Sequence, residues 1–311
     1  MKDSHLHRMR SFTVENLPDL DEVVLATLEY LSSAQLPDFN VLAYKQPLVV
    51  GSVNALRTGS IIFKDTNAVF ADEGNYHSKM KSEGIDAVYI FSASGGKHSV
   101  EIAQAARSTG LPVFLVTNNH DAKAAEFVTP EKVLLFPRIR EPYTYNTSTY
   151  MSMIMGATRE NATTILDFIT TELSNIDYDL FNSATAFTLI TPTSSSLLNG
   201  MFVTKFDELF GPKILGRSFT EEEIKHAKTI VEDSGECFIS FGSVNEILGS
   251  ENNRVTIPIP QNYDSAAVMA IGYYIIGQIQ KRKPSYFKDN IVRYTKMLSD
   301  TLGWNIQPIV E

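Results

Sequence analysis

Apolar and polar positions over residues 87–119 fall into successive patterns that define local structure. Val88-Tyr-Ile-Phe91 is a continuous apolar run, too short for a helix and rich in β-branched and aromatic residues. It predicts a strand buried on both faces. The run stops at Ser92-Ala-Ser-Gly-Gly-Lys97, and Val100, Ile102, Ala103 and Ala106 then recur at helical spacing. After Thr109-Gly110 a second apolar run, Val113-Phe-Leu-Val116, predicts another strand. Together they make one βαβ unit, whose turn lies at the carboxyl end of a strand and the amino end of a helix.

The flanking sequence extends this alternation. Residues 1–11 are polar and read as loose. Leu17, Leu20, Val23, Val24, Leu28 and Leu31 predict an amphipathic helix within 16–36, and Pro37 and Pro47 frame a connection. Leu48-Val-Val-Gly51 reads as a first buried strand, ending in Ser52-Val53-Asn54 and a helix to 63. Residues 67–71 form a second strand, a short helix covers 76–81, and 132–137 closes a set of five strands. Five strands alternating with helices predict a parallel sheet, with ligand over the carboxyl ends between the Ser52 and Ser92 turns. A long helix over 147–173 then leads to a boundary at 175–180.

The second half repeats the theme. A strand at 185–190 and a turn at 191–196 precede a helix over 197–210. Its buried side is Leu197, Leu198, Met201, Phe202, Phe206 and Leu209, with Thr204, Lys205 and Glu208 on another face. Thr220 and Glu223 have capping-box spacing, so a helix begins there, with Ile224, Ala227 and Val231 inward and His226 elsewhere. Strands at 237–241 and 255–259 and helices at 264–281 and 290–302 follow. The expected class is α/β, with two doubly wound, flavodoxin-like parallel-sheet domains in tandem, the second shorter by about one strand–helix unit. The expected division is a helical segment 1–44, a first domain 45–174, and a second domain 175–311 with C-terminal helices.

Composition narrows the function classes. A length of 311 residues suits two domains. The net charge of −9, with no basic stripe, excludes general affinity for nucleic acid but leaves room for an anion in a local pocket. Cys237 is the one cysteine, so neither an internal disulfide nor a thiolate metal cluster is expected. His77, His98 and His120 fall in separate turns without metal-ligand spacing, and no metal or cofactor is expected. MKDSHLHRMR lacks the apolar core of a signal peptide, and the stretch 266–279 is too short to span a bilayer. A cytoplasmic protein is expected.

Free helix N–H groups and the positive end of a helix dipole suit the 92–97 turn to phosphate. Ser92, Ser94 and Ser99 offer hydroxyls, Gly95 and Gly96 allow close backbone approach, and Lys97 adds charge. Two common phosphate loops are absent: Phe91 and His98 stand where a Walker A loop needs Gly and a hydroxyl, and no G-x-G-x-x-G occurs. The spacing favours phosphate over a bare chain reversal.

Ser92-Ala-Ser94-Gly95 after a buried strand, followed by Ala-Arg-Ser-Thr-Gly-Leu-Pro-Val-Phe-Leu-Val-Thr-Asn, resembles the sugar isomerase (SIS) domain family. Members of that family bind phosphosugars through an S-x-S-G-x-T turn. Lys97 replaces the threonine, so the hydroxyl contact is lost, moved to Ser99, or replaced by charge. Residues 138–148 resemble the family's E-x-x-V-A-S-T-K segment over the sugar, with Asn146-Thr147-Ser148 in place of Ser-Thr-Lys.

By themselves, Lys205 and Glu208 read as an exposed i, i+3 pair and His226 as an ordinary surface residue. The tract 189–226, however, resembles the second SIS domain of the isomerase part of glucosamine-6-phosphate synthases. The resemblance implies that Lys205 and Glu208 match a K-x-x-E helix carrying the general base. It also implies that Glu223-Ile-Lys-His226 matches an E-L-K-H turn carrying the ring-opening histidine, although Ala227-Lys228 replaces Gly-Pro. The family tail bears a catalytic lysine, which Lys288 and Lys296 do not match. No glutaminase domain precedes the first sheet, so glutamine is not expected as nitrogen source by that route.

The resemblance implies a metal-independent isomerase of a hexose or aminohexose 6-phosphate, or a deaminating or deglycating relative. Ser52, Asn54, Ser92, Ser94, Gly95, Gly96, Lys97, Ser99, Asn146 and Thr147 would bind substrate. Glu208, His226 and Lys205 would act on it, in a homodimer whose histidine reaches the neighbouring subunit's site. The alternative is a non-catalytic phosphosugar sensor working through a protein partner.

Overall fold

The structure, a computed structural model, describes residues 4–226 and 233–311. Contacts divide it into two units. One comprises Met1–Ser33, Ile139–Thr147 and Glu160–Glu311, and the other Ala34–Arg138 and Ser148–Arg159. The N-terminal helices fall in the same unit as the second sheet.

The N-terminal segment is not loose. It forms α1 (His5–Ser11) and α2 (Leu20–Leu31), and Met9 and Phe12 are buried. Arg140 anchors it, with Nη1 donating to the carbonyls of Met9 (3.3 Å) and Phe12 (2.8 Å) and the guanidinium 4.2 Å from the Phe12 ring centroid.

The second unit holds β1 (Pro47–Gly51), α3 (Asn54–Ile62), β2 (Val69–Ala71), α4 (Tyr76–Lys79), β3 (Ala87–Phe91), α5 (His98–Ser108), β4 (Val113–Thr117) and β5 (Val133–Leu135). All five strands are parallel, in the order β2-β1-β3-β4-β5. This is the flavodoxin-like order, with its switch point between β1 and β3. Both of those strands are buried along their whole length, as their unbroken apolar runs require.

Next along the chain come β6 (Glu141–Pro142) and α6 (Thr147–Thr158). The single helix expected over 147–173 is broken. Arg159 takes a left-handed φ of 60°, and the Asn161 side chain accepts from the Thr164 N–H (3.0 Å) to start α7 (Ala162–Thr171).

The unit that holds the N-terminus continues with α8 (Leu180–Ser183), β7 (Ala186–Thr191), α9 (Asn199–Phe210), β8 (Leu215–Thr220), α10 (Glu221–Ile224), β9 (Glu236–Phe241) and β10 (Arg254–Ile257). Its four-stranded parallel sheet has the order β10-β9-β7-β8. Taken from the other side this is the first sheet's order without a fifth strand. The edge strand β8 is an addition to the elements that the apolar pattern predicts. Leu197 is 40% exposed rather than buried, and Lys205, placed on a polar face, is wholly buried. The capping box stands: Thr220 Oγ1 accepts from Glu223 N–H (3.1 Å), and Glu223 Oε2 from Thr220 N–H (2.8 Å). Ala227 and Val231 lie outside the described residues.

Two C-terminal helices complete the unit. Every residue of α11 (Ser265–Gln280) is buried, as suits a helix apolar on all sides. Among the described residues no helix is long and apolar enough to cross a membrane. After α12 (Tyr286–Leu302) the tail forms β11 (Ile309–Val310), antiparallel to β6.

Candidate functional site

At the carboxyl edge of the first sheet β1 and β3 end side by side, Gly51 opposite Phe91. Each strand runs through a turn into a helix, and each turn ends on a residue of the same rare backbone. Val53 has φ 46°, ψ −114° and Lys97 has φ 53°, ψ −132°. A non-glycine residue held there costs of order 1–3 kcal/mol. Val53 is 60% exposed, so side-chain packing does not recover that cost. The matched strain turns two helix N-termini toward one switch point.

The 92–97 turn is braced from within. Gly95 has φ 60°, and a Cβ on it would lie 2.2 Å from Ala122 Cβ, so only glycine fits. Its N–H donates to the Ser92 carbonyl (3.2 Å) and hydroxyl (3.1 Å), and Gly96 N–H donates to Ser94 Oγ (3.3 Å). A hydroxyl that accepts from the backbone can still donate its own hydrogen outward, so Ser92 and Ser94 keep that capacity. Ser99 does not: it is buried, and its hydroxyl donates to the Gly96 carbonyl (2.6 Å). The Ser99 hydroxyl is thus engaged within the turn. Partial burial holds the Lys97 ammonium below the usual lysine pKa. Asn54 is also buried, its Oδ1 accepting from Arg57 Nη1 (2.8 Å).

Sequence reasoning missed the buttress behind this turn. Thr117 Oγ1 (3.1 Å) and Asn118 N–H (3.2 Å) donate to the Ala93 carbonyl, and Asn119 Nδ2 donates to that of Ser94 (2.8 Å). The signal was a Thr-Asn-Asn cluster directly after an apolar run.

In the other unit, Lys205 and Glu208 stand one turn apart on α9. Lys205 has no exposed surface; its Nζ donates to the Thr144 carbonyl (2.6 Å) and to Glu208 Oε2 (2.5 Å) and lies 5.5 Å from the Tyr273 ring centroid. Glu208 Oε1 has no hydrogen-bond partner among the described residues. The side chain lines a cleft of about 390 Å³ with Thr144, Asp207, Asn290, Arg293 and Tyr294. Burial raises the Glu208 pKa above the usual carboxylate range, and Lys205 opposes the rise without cancelling it. A carboxylate with one oxygen pinned, the other open to a cleft and a raised pKa is equipped to take and return a proton.

The segment that supplies the Thr144 carbonyl is itself held. Tyr143 N–H donates to the Pro308 carbonyl (2.8 Å) beside the β6–β11 pair, and the buried Glu141 carboxylate accepts from Thr147 N–H (2.7 Å). Thr144 and Asn146 both have positive φ, 74° and 47°. Asn146 is half-buried, whereas Thr147 is wholly buried and its side chain is part of the interior.

His226 does not join Glu208 within the chain. Glu208 lies near the end of α9, which leads to the amino end of β8, whereas His226 follows α10, beyond the carboxyl end of β8. The six residues of β8 separate those edges by roughly 20 Å. His226 is exposed, its N–H donating to the Glu223 carbonyl (3.2 Å).

No family model and no curated protein sequence matches the chain. Its fold does match solved structures. Glucosamine-6-phosphate deaminase from Thermotoga maritima aligns with a TM-score of 0.56 and 12% identity over 87% of this chain and 94% of that one. Tagatose-6-phosphate ketose/aldose isomerase from Escherichia coli gives 0.56 and 14% over 89% and 92%. The C-terminal domain of glucosamine-fructose-6-phosphate aminotransferase from Francisella tularensis gives 0.52 and 11% over 93% and 97%. The resemblance to SIS proteins carried by the Ser92 turn and the Lys205–Glu208 helix therefore extends to the fold of the chain.

Proposed function

We propose that this protein is a phosphosugar aldose–ketose isomerase acting on a hexose or aminohexose 6-phosphate. The observation that carries the reading is Glu208, a half-pinned carboxylate of raised pKa lining a cleft. Neighbours in fold are phosphosugar isomerases and deaminases by name, which supports the substrate class. Ser92 and Ser94 hydroxyls and Lys97 hold the phosphate at the amino end of α5, where the helix dipole favours an anion. Ser52 and Asn54 shape the neighbouring turn. Glu208 moves a proton between C2 and C1 of the open-chain sugar, and Lys205 positions it. His226 assists ring opening, from the neighbouring subunit of a homodimer.

The test is proton exchange in deuterium oxide with glucose, fructose, tagatose and glucosamine 6-phosphates. The wild type is expected to place solvent deuterium on C1 or C2 of at least one of them. Glu208→Gln is expected to lower that rate by about 10²-fold or more while keeping sugar-induced thermal stabilisation. Stabilisation of the wild type by a panel sugar with no exchange on any would replace the enzyme with a binding protein.

A further inference from the structure

Isomerisation moves two protons, one between carbons and one between oxygens, and Glu208 accounts only for the first. Lys205 does not supply the second. It has no exposed surface, and its ammonium is engaged by Thr144 and Glu208. The missing group must carry a transferable proton and open onto the cleft that Glu208 lines.

Two phenols line that cleft, Tyr286 and Tyr294, both on α12. The Tyr286 ring packs onto Gly211: a Cβ built there would lie 2.6 Å from the Tyr286 hydroxyl, so the hydroxyl faces backbone. Tyr294 is 40% exposed, and its hydroxyl has no hydrogen-bond partner among the described residues. Its ring sits 6.5 Å from that of Tyr143 at 40°, a contact that orients it. Burial and the charge of Glu208 raise its pKa, so it stays protonated as a donor.

We propose that Tyr294 is a catalytic residue of this isomerase, its phenol relaying the proton between O1 and O2 while Glu208 carries the one between C2 and C1. The proposal rests on the isomerase reading. In the aldose-to-ketose direction Glu208 removes the C2 proton, and the C–H electron pair forms the C1=C2 bond. The carbonyl π pair passes to O1, which takes the Tyr294 proton. The phenolate then removes the O2 proton, and the freed O–H pair forms the C2=O2 bond. The C1=C2 pair meanwhile takes the proton from Glu208 onto C1. Both side chains end as they began, and no oxidant or reductant is required.

The experiment compares full-length wild type, Tyr294→Phe, Tyr294→His and Glu208→Gln on the panel sugar that the wild type turns over fastest. Tyr294→Phe is expected to lower kcat about 10²-fold with KM unchanged, because only transition-state proton transfer is lost. Tyr294→His, which keeps an acid–base group, is expected to retain more kcat than Tyr294→Phe. Thermal melts report folding, and the histidine variant preserves the test if the phenylalanine variant misfolds. A folded Tyr294→Phe with kcat within about threefold of wild type, or with only KM raised, overturns the relay and leaves the isomerase reading intact if Glu208→Gln is inactive. Wild-type exchange in Glu208→Gln overturns both.

Discussion

A lysine without exposed surface is tolerable only where its charge is matched, and Lys205 is matched by a carbonyl and a carboxylate. The same contact sets the chemistry of Glu208, whose pKa burial raises and Lys205 lowers. In Lys205→Met the lowering influence is gone, so the Glu208 pKa rises further. The acid limb of the kcat/KM–pH profile is then expected to move to higher pH, with activity returning toward alkaline conditions. A Lys205 that served packing alone would leave the limb in place. The variant is also expected to lose stability as pH rises through the raised Glu208 pKa, because the ionised form is the one burial disfavours. The K-x-x-E spacing made this pair visible in the sequence, but its burial was not visible. Thr144 comes from a segment some 60 positions earlier, and local periodicity carries no information about so distant a contact.

Elements buried on both faces were legible, and elements defined by distant partners were not. Strands β1, β3 and β4 are nearly unbroken apolar runs and needed no context. Strand β8, Leu215-Gly-Arg-Ser-Phe-Thr, lies at a sheet edge and is mostly half-exposed, so it lacks both alternation and a continuous apolar run. The N-terminal helix is fixed by Arg140, again a partner far along the chain. A similar long-range contact joins α2 to α11. Gly277 lets the Asp21 backbone approach, since a Cβ there would lie 2.2 Å from Asp21 N. The buried Asp21 Oδ2 accepts from Gln278 Nε2 (2.8 Å) and Lys281 Nζ (2.5 Å), while Oδ1 has no hydrogen-bond partner among the described residues. Burial outweighs Lys281 and pushes the Asp21 pKa up to about 6. The folded state therefore binds this proton more tightly than the unfolded chain, and the stability it contributes is lost as pH rises from about 4 to about 6. Asp21→Asn is expected to remove that slope. The wild type should lose about 1–3 kcal/mol relative to the variant across this window in urea titrations at successive pH values. Equal slopes would mean that Asp21 holds its proton no more tightly in the folded state than in the unfolded chain.

The whole molecule places the two groups named for catalysis at opposite edges of one sheet, and that separation bears on assembly. Glu208 sits toward the amino edge of the second sheet and His226 beyond its carboxyl edge. One chain cannot bring both to one sugar while the sheet is intact, because six extended residues lie between those edges. If both act on the same substrate, they come from different chains, as a two-fold symmetric dimer allows. Glu208→Gln and His226→Asn should then each be nearly inactive alone. A heterodimer of the two carries one site with both residues altered and one with both intact. Random co-assembly of equal amounts makes half the dimers mixed, so about a quarter of wild-type activity is expected to return. The measurement is activity of the co-expressed variants against each expressed separately, with the dimer confirmed by sedimentation. No recovery in a verified mixed dimer would assign ring opening to a group on the same chain as Glu208, and His226→Asn with full activity would remove the histidine from the mechanism. Recovery to the expected level would instead make the dimer the catalytic unit, with the β8 edge-to-edge distance as the reason.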